Sequence, residues 1–179
     1  MEKTGSPVGV PWSMPVAVED IPDAGLHFEI DAPPATRAEV AALAGVLSLL
    51  KLSAVFDLTR RGAKVHVAGQ VNARVVQACV VTLEPIENDV SEAVETTFAP
   101  PPAEMATDVE VKSDREPPEP LVDGKIDLGA LAVEFLVLGI DPYPRKAGVT
   151  FTPPKVEDAA AHPFAVLEAL KKPSGGAQP

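Results

Sequence analysis

With one cysteine, Cys79, in 179 residues, this chain cannot close an internal disulfide. Nor does it hold an apolar run long enough for a membrane. Its most apolar stretch, Leu128 to Ile140, has 13 residues and carries Glu134, whereas a bilayer span needs about 20. The start, Met1-Glu2-Lys3-Thr4-Gly5, lacks the apolar core of a secretory signal, so the expected location is the cytoplasm. Positive charge is scarce: 15 Lys and Arg stand against 26 Asp and Glu, a net charge of -11. Long-range repulsion therefore opposes attraction of the whole chain to RNA, DNA or anionic membranes. Catalytic signatures are missing as well, with no phosphate-binding glycine loop and no Ser/His/Asp arrangement. A thiol nucleophile needs a base within reach, and His66 lies thirteen residues from Cys79, about 43 Å along an extended strand. The expectation is a protein that is not an enzyme and uses no cofactor.

What charge there is has been sorted. From Lys51 to Cys79 five basic residues (Lys51, Arg60, Arg61, Lys64, Arg74) face one acid, Asp57. From Glu84 to Asp123 twelve acids face only Lys112 and Arg115. A small basic surface beside a large acidic one suits binding or assembly.

Prolines and glycines, 20 and 12 of them, cluster at the ends and at Pro100-Pro101-Pro102, Pro117-Pro118 and Pro120, and mark connectors. Between them the pattern is α+β. Strands are expected at Trp12 to Val18 and at Leu26 to Asp31, where Leu26, Phe28 and Ile30 alternate with His27, Glu29 and Asp31. A helix is expected from Thr36 to about Leu47, with Thr36 and Glu39 spaced as a capping box. Leu52 to Arg60 alternates again, Arg60-Arg61-Gly62 turns the chain, and Ala63 to Val75 alternates back. Val75-Val76 puts two apolar residues in succession, which predicts a phase slip or bulge there. After a turn over Thr82 to Asn88, a third strand is expected from Asp89 to Phe98. Three sequential strands on short connections make an antiparallel meander, able to curl into a partial barrel.

From about 99 to 125 acids and prolines predict a mobile acidic loop, with a short strand at Val109 to Val111. Asp127 is placed to cap a helix from Leu128 to Leu138, read as sandwiched in the core. A short C-terminal helix is expected over His162 to Lys172 with Pro163 in its first turn. The expected organisation is a disordered 1–9, one domain over 10–172 and a disordered 173–179.

Three pieces together resemble the YceD family of bacterial and plastid proteins associated with accumulation of large-subunit ribosomal RNA. They are Cys79-Val80-Val81-Thr82-Leu83-Glu84-Pro85, the helix from Ile126-Asp127-Leu128 to Asp141-Pro142-Tyr143-Pro144-Arg145, and Pro163-Phe164-Ala165-Val166-Leu167. The resemblance spans roughly residues 10 to 172. It implies a non-enzymatic factor in large-subunit biogenesis that protects ribosomal RNA or delivers a ribosomal protein. Many members have Cys-x-x-Cys at this turn and further cysteines near the C-terminus, a spacing suited to zinc. Here Thr82 stands where the second cysteine would be, and a structural zinc needs about four good ligands, so no metal is carried over.

Candidate contacts with RNA phosphates are Arg60, Arg61, Lys64, His66 and Arg74, expected on one outer sheet face with Gln70 and Asn72 between them. The same pattern fits a solvated face of an antiparallel sheet. No aromatic side chain falls on that face, so base stacking is not offered. Arg145, beside Tyr143 and Lys146, is a further candidate, although this segment also reads as a connector with Tyr143 packed on the preceding helix. The acidic candidates for holding a basic protein are Glu104, Asp108, Glu110, Asp114, Glu116 and Glu119. Their plainer role is a solubilising loop. Cys79 reads as a small apolar residue at a strand end. The partner is thus either large-subunit ribosomal RNA or a basic ribosomal protein. In the alternative, the chain is an acidic adaptor for a basic client without RNA contact.

Overall fold

A computed structural model describes residues 10–101 and 118–152. The chain divides into two compact units, Met1–Ala147 and Gly148–Pro179, and the elements below belong to the first. They are β1 (Pro15–Ala17), β2 (Leu26–Asp31), α1 (Pro34–Ala44), β3 (Ser48–Arg61), β4 (Lys64–Ala78), β5 (Pro85–Ala99), β6 (Glu119–Pro120), β7 (Lys125–Asp127) and α2 (Leu128–Gly139). The expected strand at Val109 to Val111 and the helix over His162 to Lys172 lie outside the described residues.

The α+β architecture and the antiparallel meander are present. Strands β2-β3-β4-β5 run antiparallel, β6 adds in parallel at Phe98 and Ala99, and β1 with β7 forms a separate two-stranded sheet. The large sheet is open, with β2 at one edge and β6 at the other end of the order, so no barrel closes. The β3–β4 connection is a two-residue hairpin, Gly62-Ala63, between the paired Arg61 and Lys64. Gly62 takes φ +64°, the left-handed conformation such turns require at their first position.

One sheet face carries the core. Leu52, Ala54, Phe56 and Leu58 from β3 and Val65, Val67, Val71 and Val75 from β4 are almost wholly buried, as are Val40 of α1 and Leu128, Ala132 and Leu136 of α2. Each Val, Leu or Phe among them contributes about 1.5–3 kcal/mol of hydrophobic stabilisation before entropy is counted.

Three local expectations are corrected. First, the alternation in β4 runs unbroken through Val75-Val76: Val75 is buried, Val76 half-buried on the opposite face, and Gln77 buried again. The irregularity sits on the neighbouring strand, where the register with β4 shifts between Leu49 and Lys51. Second, Thr36 does not cap α1. The helix begins at Pro34, with Pro33 as its cap and no side-chain capping bond, because a proline's fixed φ suits the first helical position. It ends at Ala44, short of Leu47, where Gly45 adopts φ +67° and Val46 N–H donates to Ala41 O in the 6→1 bond of a Schellman motif. Third, α2 is not enclosed on all sides. Leu128, Leu131, Ala132 and Leu136 are buried, but Val137 is half-exposed and Leu138 is 71% exposed.

The cap on α2 is as expected. Asp127 Oδ1 accepts from Ala130 N at 3.0 Å and from Met14 N at 2.8 Å, while Ser13 Oγ donates to Oδ2. Burial pushes this carboxyl up, but the hydrogen bonds from Ser13 and from the Ala130, Met14 and Gly129 N–H groups outweigh it and hold the group below its ordinary range. Asp127→Ala should therefore cost about 1–2 kcal/mol at pH 7. A carboxyl depressed in the folded state stabilises above its unfolded pKa of about 3.9 and stops doing so as pH falls through the lower folded value. Urea denaturation should show the gap between the two proteins narrowing towards pH 3. A constant gap would mean the carboxylate charge contributes nothing.

Candidate functional site

Side chains on a strand alternate between faces, and β4 sends Lys64, His66, Gln70, Asn72 and Arg74 away from the core as its sequence requires. Across the ladder Arg61 pairs with Lys64 and Lys51 with Arg74, on the same outer face. Arg60 is not there. It pairs with Val65 and shares the inner face with Phe56 and Leu58, half-buried, with Nη1 on Val18 O at 3.4 Å and Nη2 on Asp23 Oδ1 at 3.2 Å. Its role is to clip the loop before β2 to the sheet.

The outer face is a charge mosaic instead of a basic stripe. Arg74 donates to Asp89 through Nε at 2.8 Å and Nη2 at 3.3 Å, and this two-point contact holds the Asp89 carboxyl below its usual range. On β2 and β3, His27 Nδ1 lies 2.7 Å from Asp57 Oδ1, and Asp57 raises the imidazole pKa. At the middle of the sheet Gln70 Nε2 donates to Ser91 Oγ, which donates to Asn72 Oδ1. His66 Nδ1 is 3.4 Å from Thr97 Oγ1. Among the described residues, the candidate cations exposed on this face with no salt bridge are Arg61 and Lys64, at the hairpin tip, and Lys51 is the third such cation. No Phe, Tyr or Trp of the sheet stands on this face: Phe28, Phe56 and Phe98 all share the inner parity.

The structure does not bring Arg145 to this tip. Its neighbour Lys146 donates through the backbone N–H to Cys79 Sγ at 3.4 Å, and Cys79 follows the far end of β4, on the order of 45 Å from Lys64 along the strand. Of the acidic candidates, Glu119 is exposed in β6, while Glu104, Asp108, Glu110, Asp114 and Glu116 lie outside the described residues.

What sequence reading missed is that two of the family-like segments meet in space. Val80 N–H donates to Pro144 O at 2.9 Å, Gln77 Nε2 to Asp141 O at 2.8 Å, and Lys146 Nζ to Glu84 Oε2 at 2.8 Å. The turn itself closes with Cys79 N–H on Glu84 O and Leu83 N–H on Cys79 O, both at 2.8 Å, and leaves Leu83 at φ +61°. At its centre Cys79 is wholly buried. The Thr82 hydroxyl, the Lys146 N–H and the Thr82 and Val81 N–H groups all favour the thiolate and lower the thiol pKa to about 6, against burial, which raises it. Cys79 is thus a buried small residue that also bonds: its sulfur accepts from Lys146 N–H at 3.4 Å, one of four hydrogen bonds between the two segments. Thr82, at the position of the second cysteine of the Cys-x-x-Cys pattern, accepts from Glu84 N–H through Oγ1 at 3.4 Å, and its hydroxyl is the largest of the influences that lower the thiol pKa. Tyr143, expected on the helix, is 71% exposed instead. Among the described residues no group of three or more His, Cys, Asp or Glu side chains is placed to hold a metal ion. No described helix is long and apolar enough to cross a membrane.

No curated protein and no solved structure matches the chain. A family model described as "Large ribosomal RNA subunit accumulation protein YceD" matches residues 67–171. That span takes in most of β4, all of β5 and α2, and the junction around Cys79.

Proposed function

The chain belongs to the YceD family, and from that membership we propose that it is a non-catalytic cytoplasmic factor supporting accumulation of large-subunit ribosomal RNA by contacting the RNA backbone through the β3–β4 hairpin tip. The observation that carries the contact is the tip itself. Arg61 and Lys64 are direct cross-strand partners, exposed on the outer face, whereas Arg60 and Arg74 are held by Asp23 and Asp89. Two adjacent cations without an aromatic platform recognise phosphates and not bases. Sequence preference should accordingly be slight.

The test is binding of a large-subunit ribosomal RNA fragment across a salt series. Arg61→Glu with Lys64→Glu should weaken affinity about tenfold or more and lower the salt slope by about 2, one for each phosphate no longer neutralised. Unchanged affinity and slope would reject the proposal. The twelve acids between Glu84 and Asp123 favour a second reading, an adaptor that holds a basic client and does not touch RNA. In that case wild-type protein shows no salt-dependent RNA binding, and deletion of 104–119 abolishes capture of a basic ribosomal protein.

A further inference from the structure

We infer that the outward edge of β5 is a strand-addition site for an extended segment of another protein in which basic residues alternate with apolar ones. β5 is 15 residues long, and β4 pairs with it from Pro85 to Phe98 without a break in register. On its other side β6 covers only Phe98 and Ala99. Ala99 O accepts from Leu121 N–H on that side at 2.8 Å. In a strand the N–H and C=O of one residue point the same way and the direction alternates. Glu87, Asp89, Ser91, Ala93, Glu95 and Thr97 therefore turn their backbone groups outward with Ala99. Thr97 is engaged by β6, since the parallel Phe98↔Glu119 pairing uses its carbonyl, but among the described residues the other five, Glu87 to Glu95, make no backbone hydrogen bond on that side.

The chemistry of the occupant follows from what flanks this edge. On the solvent face it offers Glu87 and Glu95, with Asp89 already paired to Arg74, and the whole strand contains no basic residue. Like charges placed opposite one another disfavour pairing with a second copy of the same edge, and acids favour Lys or Arg on an incoming strand. On the inner face α2 runs alongside. Ala130 and Glu134 line a cavity of about 360 Å³ with Phe98, Pro120 and Val122 at the C-terminal end of β5. At the other end of the helix a methyl added to Gly139 would collide with the Val90 and Glu92 side chains. Ala130, Glu134 and Leu138 recur every fourth residue and so form one stripe of the helix. The stripe ends in Leu138, a large apolar side chain left 71% exposed. An added strand would place its basic side chains against the acids and its apolar ones towards this end of α2. That is recognition by main-chain hydrogen bonds with alternate side chains setting specificity. It uses a surface apart from the Arg61 and Lys64 tip, on the next strand pair.

The test uses the full chain and a fluorescein-labelled peptide of about eight residues in which Lys and Val alternate, a typical strand length or a little more. Wild-type protein should bind it, and the same peptide N-methylated at every second amide should bind about tenfold or more weakly, since its main-chain donors are removed. On the protein side, Ala93→Pro removes an N–H that makes no bond to β4, a position where proline is tolerated on an edge. It should keep the far-UV spectrum and melting transition and lose peptide affinity by a similar factor. Bound peptide should also slow amide exchange at Asp89, Ser91, Ala93 and Glu95. Equal binding of the N-methylated peptide, equal binding by Ala93→Pro, or absence of wild-type binding would each overturn the inference. So would concentration-dependent dimerisation that Ala93→Pro abolishes, because the edge would then belong to a second copy.

Discussion

Phe56→Ala is expected to lower the folding free energy by about 3–5 kcal/mol, the range for removing a fully buried aromatic ring. Phe56 has no solvent exposure and sits at the centre of β3, opposite Phe28 on β2 and Gly69 on β4. The cavity left behind cannot be refilled from the glycine. A methyl at position 69 would collide with the Val55 carbonyl oxygen and stand 2.7 Å from Phe56 Cδ1. Removing the ring clears only the second obstacle, so Gly69→Ala should not rescue Phe56→Ala and should add to its cost. Leu138→Ala, which truncates a side chain 71% exposed, should change stability by less than about 0.5 kcal/mol. Urea denaturation of the three proteins checks this. A loss below about 1 kcal/mol for Phe56→Ala would mean the sheet centre repacks around the gap.

The same residue shows why one face of the sheet was legible from sequence and the other was not. Alternation of Leu52, Ala54, Phe56 and Leu58 fixes the buried face of β3, and the count carries one step further to Arg60. By parity alone Arg60 belongs with the core face, where the structure puts it. Grouping it with Arg61 and Lys64 followed charge and overrode the period. The pairing of charges on the outer face is not legible in the sequence for a different reason. Whether Arg74 is available depends on whether Asp89 stands across from it, and that requires the β4–β5 register, which composition does not contain. The Asp127 cap and both hairpin strands needed only local rules. The start of α1 also obeyed a local rule, proline at the first helical position, which outweighed the Thr36 and Glu39 spacing. Val76 misled because a β-branched residue is at home on either face of a strand.

The junction around Cys79 was beyond local rules, since its partners lie more than 60 residues away at Asp141, Pro144 and Lys146. It makes a pH-dependent prediction. A free thiol titrates near 8.5, and Cys79 in the fold titrates at about 6 because the Thr82 hydroxyl and the surrounding N–H groups hold its thiolate. A group whose pKa is depressed on folding stabilises the protein fully above its unfolded pKa and loses that contribution as pH falls towards the folded value. Stability carried by Cys79 should therefore rise between about pH 6 and pH 8.5 and level off above. The neighbouring Lys146 and Glu84 form an ion pair at 2.8 Å that raises the lysine pKa and lowers that of the glutamate, so both stay charged across this window. His27, raised by Asp57 and its hydrogen bond, gives the opposite slope, but equally in wild type and in a Cys79 variant. The difference between wild type and Cys79→Ala thus isolates the sulfur. In urea denaturation from about pH 6 to pH 9 the wild-type advantage should grow with pH, and Thr82→Val, which deletes the largest donor, should shift that growth to higher pH. Thiolate absorbance near 240 nm in the native protein should follow the same curve. Parallel pH profiles for wild type and Cys79→Ala would show that folding leaves the thiol pKa unshifted, and that the two segments are joined by the Val80–Pro144, Gln77–Asp141 and Lys146–Glu84 contacts without help from the thiolate.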